Sequence, residues 1–425
     1  MPSKTYRIEW TKDQESGLST CSGILSFSRP RGHNSLTADC SPRDYHLTAY
    51  AILLAVTLLL LSITGAKAED RVDYRYENYI EDDGRIEITT HSGLFELGLT
   101  PRLSVSGEYI YDAIAGETPI GSPPLPGSDQ VATFKMKDQR QAGNIKFGYE
   151  LSNHKLSPQI AYSSESDYES VGLSLSDAIE LNEKNTLLTL GVAHSFDRII
   201  PNGGTFIDRI EKKDTTDIFI GVNQILGKHT HVTANLTFGY SQGFLADPYK
   251  GVVFEDFPFF PPFPYTVFGE KRPTNKFRQV AHFGINHYWQ QIDSGIEASY
   301  RFHHDSFGIT AHTAHLSLSK TFLDRITIEP MVRYHRQSAA SFYGLIFPGD
   351  PSLSDEGIPK HYSADYRLSE LESLTFGINV GVKISESTAL DFGYKRYLMN
   401  GLDSSTSQSA YPDANIFTAS LRLWF

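Results

Sequence analysis

From Glu69 to the C-terminus, apolar and polar residues alternate with period two, and no other feature constrains the chain as much. Val232, Ala234, Leu236, Phe238 and Tyr240 share one face of an extended segment, and Thr233, Asn235, Thr237, Gly239 and Ser241 share the other. Successive side chains of a strand point to opposite faces, so each such segment has an oily side and a polar side. Leu374, Phe376, Ile378, Val380, Val382 and Ile384 repeat the pattern against Thr375, Gly377, Asn379, Gly381 and Lys383. Two further segments do the same, Ile326 to His335 and Ile296 to His303.

Sixteen strands are expected, near 72–80, 85–99, 103–113, 137–150, 155–164, 168–179, 185–197, 215–226, 231–242, 276–288, 293–303, 307–320, 325–338, 366–383, 387–398 and 413–425. Their connections alternate between tight turns (151–154, 182–185, 226–229, 323–324, 385–387) and long loops (114–136, 198–214, 243–275, 339–365, 399–412). A soluble sandwich would also alternate, but strands of about ten or more residues with short turns at one end and long loops at the other are what a membrane barrel shows. The expected fold is therefore all-β, a transmembrane antiparallel up-and-down β-barrel of about sixteen strands with periplasmic termini and every long loop outside. In lipid no water satisfies a free backbone N–H or C=O, so the first strand must close on the last.

Composition agrees in a specific way. Apolar residues make up 40% of the chain, yet only one long apolar run exists, Leu47 to Leu61. Arg43 precedes it and Ala66-Lys67-Ala68 follows it. That is the layout of a signal peptide with a small-x-small cleavage site, and the run is short for a membrane span. The expected organisation is a leader and signal peptide over 1–68 and a barrel over 69–425. Residues 1–42 are too long and polar for an ordinary leader, and reflect either an upstream start site or an extended leader. Both cysteines, Cys21 and Cys40, precede the run, so the exported product has no disulfide, thiolate metal site, cysteine nucleophile or lipid-modified cysteine. The net charge of −12 disfavours nucleic-acid binding, which needs a basic face.

The C-terminus carries the most specific signal. Phe417, Ala419, Leu421, Leu423 and Phe425 occupy one face of the final segment. An alternating last strand with a terminal aromatic residue resembles the signal read by the barrel assembly machinery of the outer membrane. Phe417, Leu421, Leu423 and Phe425 are its expected elements. The expected location is the bacterial outer membrane, with lipid and lipopolysaccharide as surroundings.

Sixteen strands give a barrel wide enough for an aqueous lumen. Residues expected to line it are Asp73, Arg75, Glu77, Glu108, Lys146, Glu150, Glu297, Arg301, Glu329, Arg333, Asp391, Lys395 and Arg422. They either line a wet channel or pair across it and partly plug it. The expected function is a passive or substrate-selective channel for small solutes, with weak cation preference from the acidic balance. The alternative is a plugged barrel that binds through its extracellular loops.

Some residues resemble a known family. Arg71-Val-Asp-Tyr-Arg-Tyr-Glu77 with Gly84-Arg-Ile86 looks like its opening, and Tyr111-Asp-Ala-Ile-Ala-Gly-Glu-Thr-Pro119 resembles its Asp-x-Ile-Ser-Gly-x-Ser/Thr-Pro segment, with Ala115 in place of the usual Ser. Asp138 and Arg140 match its Asp-x-Arg pair. This is the bacterial domain-of-unknown-function 3570 family of predicted outer-membrane β-barrels. The resemblance implies architecture and location, and supplies neither substrate nor catalytic residues.

No catalytic residue, cofactor or metal site is expected. His303-His304-Asp305 has no complete ligand spacing, and His312 and His315 face opposite sides of a strand. Ser317-Leu-Ser-Lys320 lacks the helical setting that brings the ends of such a motif together. Nor is there a Walker loop, a Gly-x-Gly-x-x-Gly or a His-Glu-x-x-His. The stretch Phe254 to Phe268 is unusual: its prolines prevent a regular ladder, and its aromatics are too many to stay in water. Phe257, Phe259, Phe260, Phe263 and Tyr265 are therefore expected to form a constriction or lid at the barrel mouth, or to dock a partner or neighbouring loops.

Overall fold

The computed structural model describes residues 6–7, 70–124, 127–255, 266–353 and 356–425. The apolar run at 47–61 and the five aromatics proposed for the lid lie outside the described residues. Sixteen strands form the wall: β1 (Arg71–Glu81), β2 (Glu87–Gly98), β3 (Leu103–Pro119), β4 (Thr133–Leu151), β5 (His154–Ser164), β6 (Tyr168–Leu181), β7 (Thr186–Ile199) and β8 (Glu211–Gly227) make the first half. The second half is β9 (Thr230–Gly243), β10 (Asn275–Trp289), β11 (Ser294–Asp305), β12 (Thr310–Phe322), β13 (Ile326–Gln337), β14 (Leu371–Ser385), β15 (Thr388–Gly401) and β16 (Ala414–Trp424).

Each strand pairs with its sequence neighbours, and β16 pairs antiparallel with β1, Tyr74 opposite Leu421 and Tyr76 opposite Ala419. The barrel is closed, so the sheet has no free edge. Phe425 N–H donates to Asp70 O at 3.1 Å beyond the last ladder pair. The expected strand boundaries differ from the observed ones by a few residues, for local reasons. β14 starts at Leu371 instead of 366 because Tyr366–Leu368 is a 3-10 turn whose preceding Asp365 accepts from Arg367 N–H. β12 starts at Thr310 instead of 307 because the Asp305 carboxylate accepts from Phe307 and Ile309 N–H and holds a turn.

One face of the wall is a continuous apolar belt. Cross-strand partners carry it around the ring: Ile160 opposite Leu173, Val192 opposite Ile218, Leu236 opposite Ile220, and Phe283 opposite Tyr300. It continues through Leu316 opposite Val332, Val332 opposite Phe376, and Tyr394 opposite Phe417. All of these side chains are exposed. An apolar surface of this extent is not stable in water and fits hydrocarbon. The seven connections at one end are short. Leu323 and Asp324 both have positive φ, at 53° and 55°, which is the two-residue turn whose twist matches a hairpin. The five long loops all leave the opposite end.

Most buried apolar residues belong to the loops and strand tips at that end, not to the wall. Val252, Phe254, Phe268, Phe347 and Ala364 form one cluster, Ile120, Ala132, Val253 and Val267 a second, and Phe307, Ile309, Ala311, Ala340, Phe342 and Leu368 a third. The loops contain a small sheet of their own: Gly251–Phe254 pairs antiparallel with Thr266–Gly269 and parallel with Ile346–Phe347, and Tyr6–Arg7 adds to the edge at Thr266–Val267.

Candidate functional site: a capped lumen

The loops bridge the barrel mouth. Gly251 N–H, in the β9–β10 loop, donates to Ile120 O after β3 at 2.9 Å, so that loop reaches strands far around the ring. Gly251 is needed there: a Cβ would lie 2.1 Å from Val267 Cγ1. Phe206 N–H, between β7 and β8, donates to Pro248 O at 2.7 Å. Ser409 Oγ, between β15 and β16, accepts from Val131 N–H at 3.0 Å. Phe347 O, between β13 and β14, accepts from Glu255 N–H at 2.9 Å, so loops from five positions on the rim fold into one cap.

A charge network around buried Lys250, Glu270 and Asp365, with Arg367 at its exposed edge, holds the cap. Arg367 makes a two-pronged contact with Asp365, Nε to Oδ1 at 2.9 Å and a terminal nitrogen to Oδ2 at 2.6 Å, and the same terminal nitrogen reaches Asp247. Arg272 joins Asp365 at 2.8 Å and Glu270 at 2.7 Å. Ser363 donates to Glu270, and Lys250 donates to Thr118 at 3.0 Å and to Pro119 O. Burial pushes the Glu270 carboxyl up to about 7 despite Arg272 beside it. Burial also pushes the Lys250 ammonium down, against the pull of Asp365, Asp247 and Glu270. Asp365 is the reverse case: burial would raise it, but Arg367, Lys250 and Arg272 hold it below the usual carboxylate range. In a low-dielectric site such charges persist only when each is paired.

The residues that carry the family resemblance meet at one side of this mouth. Asp112 and Arg140 are register partners on β3 and β4, and Arg140 Nε donates to Asp112 at 2.6 Å. Gly116 has φ +135°, and a Cβ there would lie 2.0 Å from Arg85 O, so the two motif segments touch through backbone. Thr118 and Pro119 hold Lys250. A trio that sequence reasoning missed lies alongside: Asp138, Glu165 and Asp167 place carboxylate oxygens within 4.8 Å of one another. Burial raises both Glu165 and Asp167, and Tyr249 donates to Asp167. Nothing in the sequence brings β4, the β5–β6 turn and residue 249 together.

All thirteen residues expected along the lumen fall on the face opposite the apolar belt, by strand alternation and register. Asp73 is opposite Arg422, which grips Asp391 with two bonds of 2.8 and 2.6 Å. Arg75 pairs with Glu77, and Glu150 stands 3.8 Å from Lys155. Glu108 is opposite Asn144, Lys146 opposite Gln159, and Lys395 opposite Gly377. Glu297 and Glu329 line a cavity of about 730 Å³ at the short-turn end, with Asn223, His231, Asn286 and Ser317. Arg301 and Arg333 are exposed, and neither has a carboxylate partner among the described residues.

On β16, Phe417, Leu421 and Leu423 share the outward face. His303 Nε2 lies 3.1 Å from Asp305, which is buried and also bonded to Lys276. Asp305 is thus a turn-forming carboxylate. His304 is turned away to Thr310.

The family model described as a protein of unknown function (DUF3570) matches residues 47–416. No curated protein matches the chain. Among solved structures, CdiB from Acinetobacter baumannii is 8% identical, with a TM-score of 0.48, over 85% of this chain and 61% of its own. The outer-membrane expressed OmpT of Vibrio cholerae is 9% identical, with a TM-score of 0.43, over 86% of this chain and 100% of its own. OccK2 (OpdF) of Pseudomonas aeruginosa, solved with glucuronate, is 11% identical, with a TM-score of 0.40, over 84% of this chain and 98% of its own.

Proposed function

The chain belongs to the DUF3570 family, and from that premise we propose that it is an outer-membrane channel for small solutes whose outer mouth is closed by a folded cap. The observation that carries the reading is the division of the molecule. An exposed apolar belt surrounds a polar interior, and the long loops at one end share buried clusters and a charge network. A barrel that only needed to persist in the membrane would not require a packed, ion-paired lid over one mouth.

The orientation follows from loop length: the cap faces outward, and the short turns and both ends of the barrel face the periplasm. Lipid and lipopolysaccharide surround the belt. Export relies on residues 1–68, whose removal would also take Tyr6–Arg7 from the cap sheet and leave three strands. Phe417, Leu421, Leu423 and Phe425 serve as the recognition strand for the assembly machinery. The thirteen inward residues line the solute path.

The second reading is a plugged barrel whose cap is itself the working surface. The density of buried loop contacts favours it. Planar-bilayer recording separates the two. Replacing Gly251–Gly269 by a short Gly-Ser linker is expected to raise single-channel conductance several-fold if the cap limits flow. No conductance from either form would discard the channel reading, and equal conductance for the two would discard closure by the cap.

A further inference from the structure

Within the wall, the arginines of the inner face divide into two kinds. Arg71, Arg75, Arg140, Arg278 and Arg422 each have a carboxylate within ion-pair distance. Arg301 and Arg333 have none among the described residues. The pairing register puts them in one small grid. Arg301 on β11 is opposite Thr313 on β12, which is opposite His335 on β13. One step toward the short turns, Ser299 is opposite His315, which is opposite Arg333. Every one of these six side chains can donate a hydrogen bond, and no carboxylate stands among them.

The acids of these strands are held away. Glu297 lies four residues toward the short turns from Arg301, and Glu329 four from Arg333, about 13 Å along each strand; Glu297 stands one row below Ser299, with β12 between it and Arg333. Asp305 lies four residues the other way and is occupied by Lys276, His303 and two backbone N–H groups. Strand spacing puts the two arginine Cα positions about 12 Å apart, close enough for two long side chains to reach one small ligand. Gly284, opposite Ser299 on the β10 side, leaves the approach clear.

We propose that this grid is a binding site for a polyvalent oxyanion inside the lumen, with Arg301 and Arg333 as its two clamps. Guanidinium groups match carboxylate and phosphate oxygens in two-pronged geometry. Unneutralised like charges side by side on a wall repel one another, and an oxyanion between them removes that cost. Thr313 Oγ1 is 2.9 Å from His335 Nδ1, which orients the ring beside the clamps. A cavity lined by Glu297, Ser317 and Glu329 lies on the same strands toward the short turns. The inference rests on the reading of the interior as a wet lumen, and gives the channel a class of solute that its overall acidity does not suggest.

The test is phosphorus NMR of inorganic phosphate titrated with the purified full chain in detergent at fixed chloride. The protein is expected to broaden the phosphate line saturably. The double variant Arg301→Gln/Arg333→Gln is expected to weaken that binding at least tenfold, and Lys135→Gln, on the outer face, to leave it unchanged. Arg301→Lys/Arg333→Lys keeps the charge but loses the fork, so it should fall between. Heat-modifiable gel migration verifies that each variant is folded. No saturable broadening by the wild type, or equal broadening by the folded Gln variant, overturns the site. Bilayer current reports conduction separately: phosphate binding without current would sink the channel reading and leave the site standing.

Discussion

At Glu270 burial outweighs a neighbouring cation. The carboxyl sits 2.7 Å from Arg272, yet desolvation raises it from 4.5 to about 7. The sign of the consequence is fixed by linkage: the folded cap holds this proton more tightly than the unfolded chain does. Its contribution to cap stability is full below pH 4.5 and is lost as pH rises toward 7. Lys250 acts in the opposite sense, since its lowered ammonium costs stability at neutral pH and is relieved toward 10.5. One substitution at Glu270 removes the first dependence and leaves Lys250 in place. Protease nicking of the cap loops should increase between pH 4.5 and 7 in the wild type, and Glu270→Gln should flatten that dependence. A profile that Glu270→Gln leaves unchanged would mean that another group controls the cap in this range.

The individual strand is the unit that sequence reads well. Period-two alternation located all sixteen, because each wall segment has lipid on one side and the interior on the other. Misreadings fell where that contrast stops. β3 runs on to Pro119 and β4 begins at Thr133, beyond the belt, where the outer face carries Lys135, Lys137 and Gln139 and no oily partner marks the register. The assignment of faces makes a paired prediction on β6. Leu175 is outward and exposed, while Ser174 is its inward neighbour. Leu175→Arg should cost up to about 2–4 kcal/mol in reversible folding into lipid vesicles, and Ser174→Arg should cost much less. Comparable losses at the two positions would contradict the belt. The cap was not legible in the same way: Lys250, Glu270, Arg272, Asp365 and Arg367 sit in aperiodic segments, and only closure of the ring brings the segments together. Of the candidate site, alternation alone placed the arginines on the inward face, but which of them lacked a carboxylate partner depended on the cross-strand register.

Taken as a whole, the molecule joins a wall without a packed core to a lid that has one, and the two have different stability requirements. The wall is held by a continuous ring of backbone hydrogen bonds that lipid makes costly to break. The cap is held by loop packing and paired charges in contact with water, so it is the part able to open while the barrel stays intact. A cross-link separates these two modes. Lys271 and Tyr362 form an isolated antiparallel bridge between the β9–β10 and β13–β14 loops, with backbone bonds of 3.0 and 2.8 Å in the two directions. Such pairs place their Cα atoms about 5.5 Å apart, within disulfide range. The only native cysteines, Cys21 and Cys40, precede the barrel, so Lys271→Cys/Tyr362→Cys has no competing thiol there. If the cap gates the lumen, oxidation should abolish the transitions between conductance levels and reduction should restore them, with the barrel's thermal unfolding nearly unchanged. Identical gating in the oxidised and reduced forms would place the gate elsewhere along the lumen and leave the cap a static plug.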